Sequence, residues 1–194
     1  MSVTSVTIKI TGDTALLMHA DTLADPLSEV TKAFKRVSGK RAKTDEDHEA
    51  MAAMEYRAGL YVEGGAIVIP GRNIVKALIE GGRITKSGAK IERGFGVLGT
   101  AFPLDHDGPA DLDALYRDKN FVSRMTVKVG TSKTIRCRPL FRRWGLDVAA
   151  YFDPAVLSLD ELQDIAADAG QMIGLGDYRK GGGFGRFSAV VGAA

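Results

Sequence analysis

An α+β fold is what this sequence predicts, and three observations carry the expectation. A run of alternating small polar and β-branched residues opens the chain at Val3–Ile10, a capped segment of helical periodicity follows Ser158, and a strand-like run spans Phe184–Val191. With the segments between them, the order reduces to strand, helix, strand, strand, helix, strand. That is the βαββαβ plan of ferredoxin-like, RRM-like cores, here with an antiparallel sheet and helical and hairpin insertions.

The elements follow in order. Gly12-Asp13 ends the first strand, and a polar stretch at about 21–58 reads as a helical insertion with helices near Leu27–Val37 and Asp45–Ala58. Thr44 and Asp47 stand at N-cap and N3 spacing before the second of these. Tyr61–Ile69 predicts a hairpin turning at Glu63-Gly64-Gly65, and Pro70-Gly71 leads into a helix that Gly81-Gly82 is expected to stop. Lys86–Gly99 reads as a loop entering a strand at Val97–Phe102. Phe121–Val129, Thr134–Trp144 and Leu146–Phe152 read as three strands, which makes residues 121–146 a basic hairpin region. Ser158 and Glu161 form a capping box, and Leu159, Leu162, Ile165, Ala166 and Ala169 recur behind it at helical spacing.

A length of 194 residues suits a single domain covering 1–194, and 45% hydrophobic residues are enough to build a core. The single cysteine, Cys137, excludes an internal disulfide and a multi-thiolate zinc site. No signal-peptide pattern and no apolar run of about 18 residues is present, so a cytoplasmic protein without a membrane partner is expected.

The net charge is only +2, so the distribution of charge has to speak. Phe121–Leu146 holds seven basic residues (Arg124, Lys128, Lys133, Arg136, Arg138, Arg142 and Arg143) and no Asp or Glu, whereas Leu104–Asp118 holds five Asp and one Arg. A one-signed run of this kind fits phosphate contacts, because each Lys or Arg that neutralises a phosphate releases counterions. It would also fit the solvated edge of a sheet. In Thr134–Arg138, strand alternation puts Arg136 and Arg138 on one face. Phe141 and Trp144 are candidates for base stacking, although a Trp that begins a strand more often belongs to the core.

The segment Gly174–Arg186 combines Gly174, Gly176, Gly181, Gly182, Gly183 and Gly185 with Tyr178, Arg179, Lys180, Phe184 and Arg186. Glycines let backbone amides approach a partner closely, while Arg and Lys meet phosphates. A nucleotide-binding P-loop needs a strand before it and a helix after it, the reverse of the order here. A mobile connection between helix and strand has the same composition.

The segment IGLGDYRKGGGFGRFSAVV resembles the glycine-rich C-terminal motif of the CRISPR-associated RAMP superfamily. AIVIPGRNIVKALIEG is similar to that family's Pro-Gly turn and helix, with Arg72-Asn73 where Ser-Ser is usual and Lys76 one residue beyond the usual Lys. The likeness is greatest to the backbone subunits of effector complexes. It implies a non-catalytic RNA-binding protein of antiviral defence, gripping guide or single-stranded RNA within a ribonucleoprotein and oligomerising with copies of itself or related subunits. Arg72 and Lys76 join the hairpin and loop cations as RNA-binding candidates on this basis.

The resemblance also leaves enzymes open. Repeat-processing endoribonucleases of the superfamily work without metal, commonly with a histidine, and His19 after the first strand is placed for that. Asp21 and Asp25 stand where some backbone subunits carry a target-cutting Asp. His48 lies among Asp45, Glu46, Asp47 and Glu49, and His106 between Asp105 and Asp107, settings that repel phosphate. A ferredoxin-like interaction module that binds no nucleic acid is a further alternative. No metal or cofactor is implied.

Overall fold

A computed structural model of the protein describes residues 3–193. In chain order its principal elements are β1 (Thr4–Gly12), β2 (Leu16–Leu17), α1 (Glu29–Ser38), α2 (Asp45–Ala58), β3 (Val62–Glu63), β4 (Ala66–Pro70), α3 (Gly71–Ile84), α4 (Gly88–Gly94), β5 (Phe95–Val97), β6 (Ala101–Pro103), β7 (Asp105–His106), α5 (Leu112–Arg117), β8 (Val122–Val129), β9 (Ser132–Phe141), β10 (Trp144–Phe152), α6 (Leu159–Asp168), α7 (Arg179–Gly182) and β11 (Phe187–Ala193). Helices and antiparallel sheets together make this an α+β protein. Among the described residues no helix is long and apolar enough to cross a membrane. The chain forms two compact units, one from residues up to Leu16, Val62–Asp107 and Arg142 onward, the other from Leu17–Tyr61 and Gly108–Phe141.

The first unit is built on a sheet of order β11-β1-β10-β5, antiparallel throughout. Alternation along β1 and β10 sends Val6, Ile8, Ile10, Leu146, Val148 and Ala150 into the core and leaves Thr7, Lys9, Asp147 and Ala149 on the opposite face. Between β1 and β5 the chain passes through α3, and between β10 and β11 through α6. The Ser158–Glu161 capping box forms as expected, and Gln163 further along α6 reaches β11, donating to the Ala189 carbonyl at 2.9 Å and accepting from the Val191 amide at 2.8 Å.

Two local expectations are corrected here. Gly81-Gly82 does not stop α3, which runs on to Ile84. Both glycines are buried, and a Cβ on Gly81 would lie 2.8 Å from the Ala169 backbone, so their use is close approach between elements. Lys86–Gly99 is not a loop: it contains α4, whose Ile91 is fully buried, and the strand expected at Val97–Phe102 divides into β5 and β6. A short helix anchored by one apolar residue lacks the repeated spacing that would announce it.

In the second unit α2 packs on β9 and α1 packs on α2. Thr44 and Asp47 form the reciprocal cap, with the Asp47 amide donating to Thr44 Oγ1 at 3.3 Å and the Thr44 amide to Asp47 Oδ2 at 3.2 Å. Tyr56, Leu115, Phe121 and Phe141 are buried, with Tyr56 and Tyr116 ring centroids 5.1 Å apart. Arg57 of α2 donates to Asp113 of α5 at 2.7 Å. β8 and β9 form a hairpin in register from Val122↔Pro139 to Val129↔Ser132, turning at Gly130 with φ +60°. The turn therefore falls at a residue that tolerates the left-handed region.

Candidate nucleic-acid interface

Strand alternation places Arg124, Thr126 and Lys128 on one face of β8. The cross-strand register sets Cys137, Ile135 and Lys133 beside them on β9. Arg124, Lys128 and Lys133 are exposed, and among the described residues none of the three makes an ion pair. Arg124 and Lys128 stand four positions apart on the strand, so the cations extend over about 13 Å at ~3.3 Å per residue.

Not every cation of the run is available in this way. Arg136 is held by Glu55 of α2: the Glu55 carboxylate accepts from the guanidinium at 2.9 Å and from the Cys137 amide at 2.9 Å. The acid missing from residues 121–146 in sequence is thus supplied from 81 positions away. Arg138 is partly buried and engaged within the protein, as is exposed Arg142. Arg143 Nε lies 3.9 Å from Asp107.

On the α2 side of the hairpin lies a cleft of about 640 Å³. Phe34, Met51, Ala52 and Cys137 make its inner, more buried wall, and Ile135 stands exposed at the mouth. Lys43, Arg124 and Lys133 line it as well, together with His48. Burial keeps the Cys137 thiol above its ordinary range, with Glu55 acting in the same direction and Arg124 and Lys119 opposing. The thiol at the cleft wall is therefore held neutral.

His48, Met51, Ala52 and Glu55 were not among the sequence candidates, yet all four line this cleft. Their i, i+3, i+4, i+7 spacing on α2 was the available signal. The sequence set His48 among acidic neighbours; on α2 Glu46 and Glu49 turn to other azimuths, while Asp45, one turn back, stays on the side of His48. Asp47 is drawn off by Lys40 at 2.6 Å.

The glycine-rich segment is organised by its own backbone and by the β1–β2 turn. The Leu175 amide donates to the Gly185 carbonyl, and the Gly185 amide to the Ala15 carbonyl, each at 2.8 Å. Gly174, Gly176, Gly183 and Gly185 all have positive φ, whereas Gly181 and Gly182 belong to α7. A Cβ on Gly185 would fall 1.8 Å from the Leu175 carbonyl oxygen. Arg179 donates to the Gly174 carbonyl at 3.0 Å and pairs with Glu80 at 3.7 Å, and Arg186 donates to the Arg179 carbonyl at 3.2 Å. These two arginines brace the loop, leaving Lys180 exposed.

The remaining candidates are dispersed. Arg72 and Lys76 are exposed on α3, with Arg72 engaged within the protein. His19 is exposed, its carbonyl accepting from the Tyr61 hydroxyl at 3.3 Å, and it does not line the cleft. Asp25 accepts from the Leu27 amide at 2.9 Å in a local turn, and Asp21 is exposed ahead of it. Burial pulls His106 below its ordinary range, against Asp107 and Asp105. Phe141 and Trp144 are buried, Trp144 donating to the Thr14 carbonyl at 2.8 Å, so neither presents a ring for stacking. Among the described residues no group of three His, Cys, Asp or Glu forms a metal site.

Comparison with known protein families and with characterised proteins finds no match to either.

Proposed function

We propose that this protein is an RNA-binding subunit of the RAMP type that grips the backbone of single-stranded or guide RNA through the β8–β9 hairpin. The observation that carries the reading is the exposed row of Arg124, Lys128 and Lys133 on one hairpin face, without an ion pair among the described residues. Cations without a carboxylate partner keep their full attraction for phosphate. The interleaved strand order β11-β1-β10-β5 with crossovers through α3 and α6 supports a ferredoxin-like frame for the first unit.

The open sheet face argues for backbone gripping over the base stacking of RRM domains. It carries Thr7, Lys9, Asp147, Ala149 and Ser188, and its one ring among the described residues, Tyr151, is half-buried beside Gly96. Association with further copies along the RNA belongs to the same reading.

Filter binding of single-stranded RNA tests it. Affinity at low salt that falls as salt rises is the expected outcome, and no affinity at low salt overturns the reading. A second reading, a protein-interaction module, draws on β8 being a terminal strand whose Arg and Lys guard a free edge. Purified protein that binds a partner through this edge and ignores RNA would favour it.

A further inference from the structure

We propose that the cleft between α2 and the β8–β9 hairpin is a subsite for one unstacked nucleotide, its base held against Phe34, Met51 and Ile135 and its phosphate by Arg124 and Lys133. The inference rests on the RNA-binding reading and assigns that reading a second, base-dependent component. A volume of about 640 Å³ lies within the roughly 300–1,000 Å³ of small-ligand sites. Its chemistry is divided in the way a nucleotide is divided: aromatic and aliphatic surface on the inner wall, cations at the exposed edge.

The other groups at the cleft agree with such an occupant. Glu55, the one acid in the lining among the described residues, is turned to Arg136 and the Cys137 amide, so its charge is already compensated. His48 and Ser38 offer hydrogen-bonding groups beside the apolar wall, suited to the polar edge of a base. An apolar ligand would leave Arg124 and Lys133 unpaired at its edge, and an inorganic anion would leave Phe34, Met51 and Ile135 uncovered. Ile135 is 58% exposed, opposite Thr126 on the hairpin face that carries Arg124 and Lys133, so its side chain is open to an occupant.

The experiment compares the full-length protein on single-stranded RNA and on an abasic ribose–phosphate strand of equal length. With the subsite present, RNA binds about fivefold or more tightly than the abasic strand, the scale of one base stacked on protein. Phe34→Ala and Ile135→Ser narrow that gap and leave abasic affinity unchanged. Ile135→Ser alters an exposed side chain, so it keeps the test decisive if Phe34→Ala fails to fold. Equal binding of the two strands, or a gap that both variants preserve, overturns the subsite while leaving phosphate gripping intact. Absence of binding to either strand overturns both readings. A poly-glutamate peptide that displaces RNA as well as unlabelled RNA does also overturns the subsite.

Discussion

The glycine-rich loop and the β8–β9 hairpin are both rich in Arg and Lys, yet they use their cations in opposite ways. In the loop, Arg179 and Arg186 bond to carbonyls of their own segment and Arg179 reaches Glu80. In the hairpin, Arg124, Lys128 and Lys133 point outward without an ion-pair partner among the described residues. In the loop, tight turns leave the Gly174 and Arg179 carbonyls to be met by the two arginines, whereas the hairpin cations are not drawn onto their own backbone. Basic composition alone therefore does not tell which cations are left exposed.

The sharpest way to break the comparison is through the loop's geometry. Gly185→Ala forces a Cβ onto the Leu175 carbonyl at positive φ and should cost about 3 kcal/mol or more, read as a large loss of thermal stability. A wild-type melting profile would show that the loop is not a packed part of the fold.

Charge removal comes next. Arg124→Ala, Lys128→Ala and Lys133→Ala combined should reduce the salt slope of RNA binding by about 2, at ~0.7 for each phosphate no longer neutralised, with affinity at least about tenfold lower. Arg179→Ala should leave that slope unchanged and lower stability by about 1.5 kcal/mol, because its charged hydrogen bonds disappear. Equal effects of the two changes on the slope would remove the distinction between the regions.

The smallest effect concerns the second unit's core. Tyr56 is buried, its hydroxyl has no hydrogen-bond partner among the described residues, and burial raises its pKa above the ordinary 10.0. Below pH 10 the hydroxyl is neutral in folded and unfolded chains alike. Above it the unfolded chain ionises first, so stability falls as pH rises. Tyr56→Phe should leave stability at neutral pH unchanged or higher by up to about 1 kcal/mol and flatten the alkaline decline, measured by urea unfolding from neutral pH to about one unit above the ordinary tyrosine value. A clear loss at neutral pH would mean that the hydroxyl has a partner.

Legibility followed the range of the interactions. The caps of α2 and α6 rest on residues a few positions apart, and they were readable. So was the one-signed hairpin run. The continuation of α3 through Gly81-Gly82 was not, because its reason is Ala169, far along the chain. The cleft was missed for the same reason: His48 and Met51 face Arg124 and Cys137 only after α2 docks on β9.

By itself the sequence determined the α+β class, the principal strands and capped helices, and the hairpin on which basic residues gather, since local hydrogen bonding and period-2 and period-3.6 patterns need no distant partner. Tertiary structure alone decided which of those cations are free. A charge is neutralised by whatever lies within a few ångströms in space, and Glu55 and Glu80 reach Arg136 and Arg179 from far away in the chain.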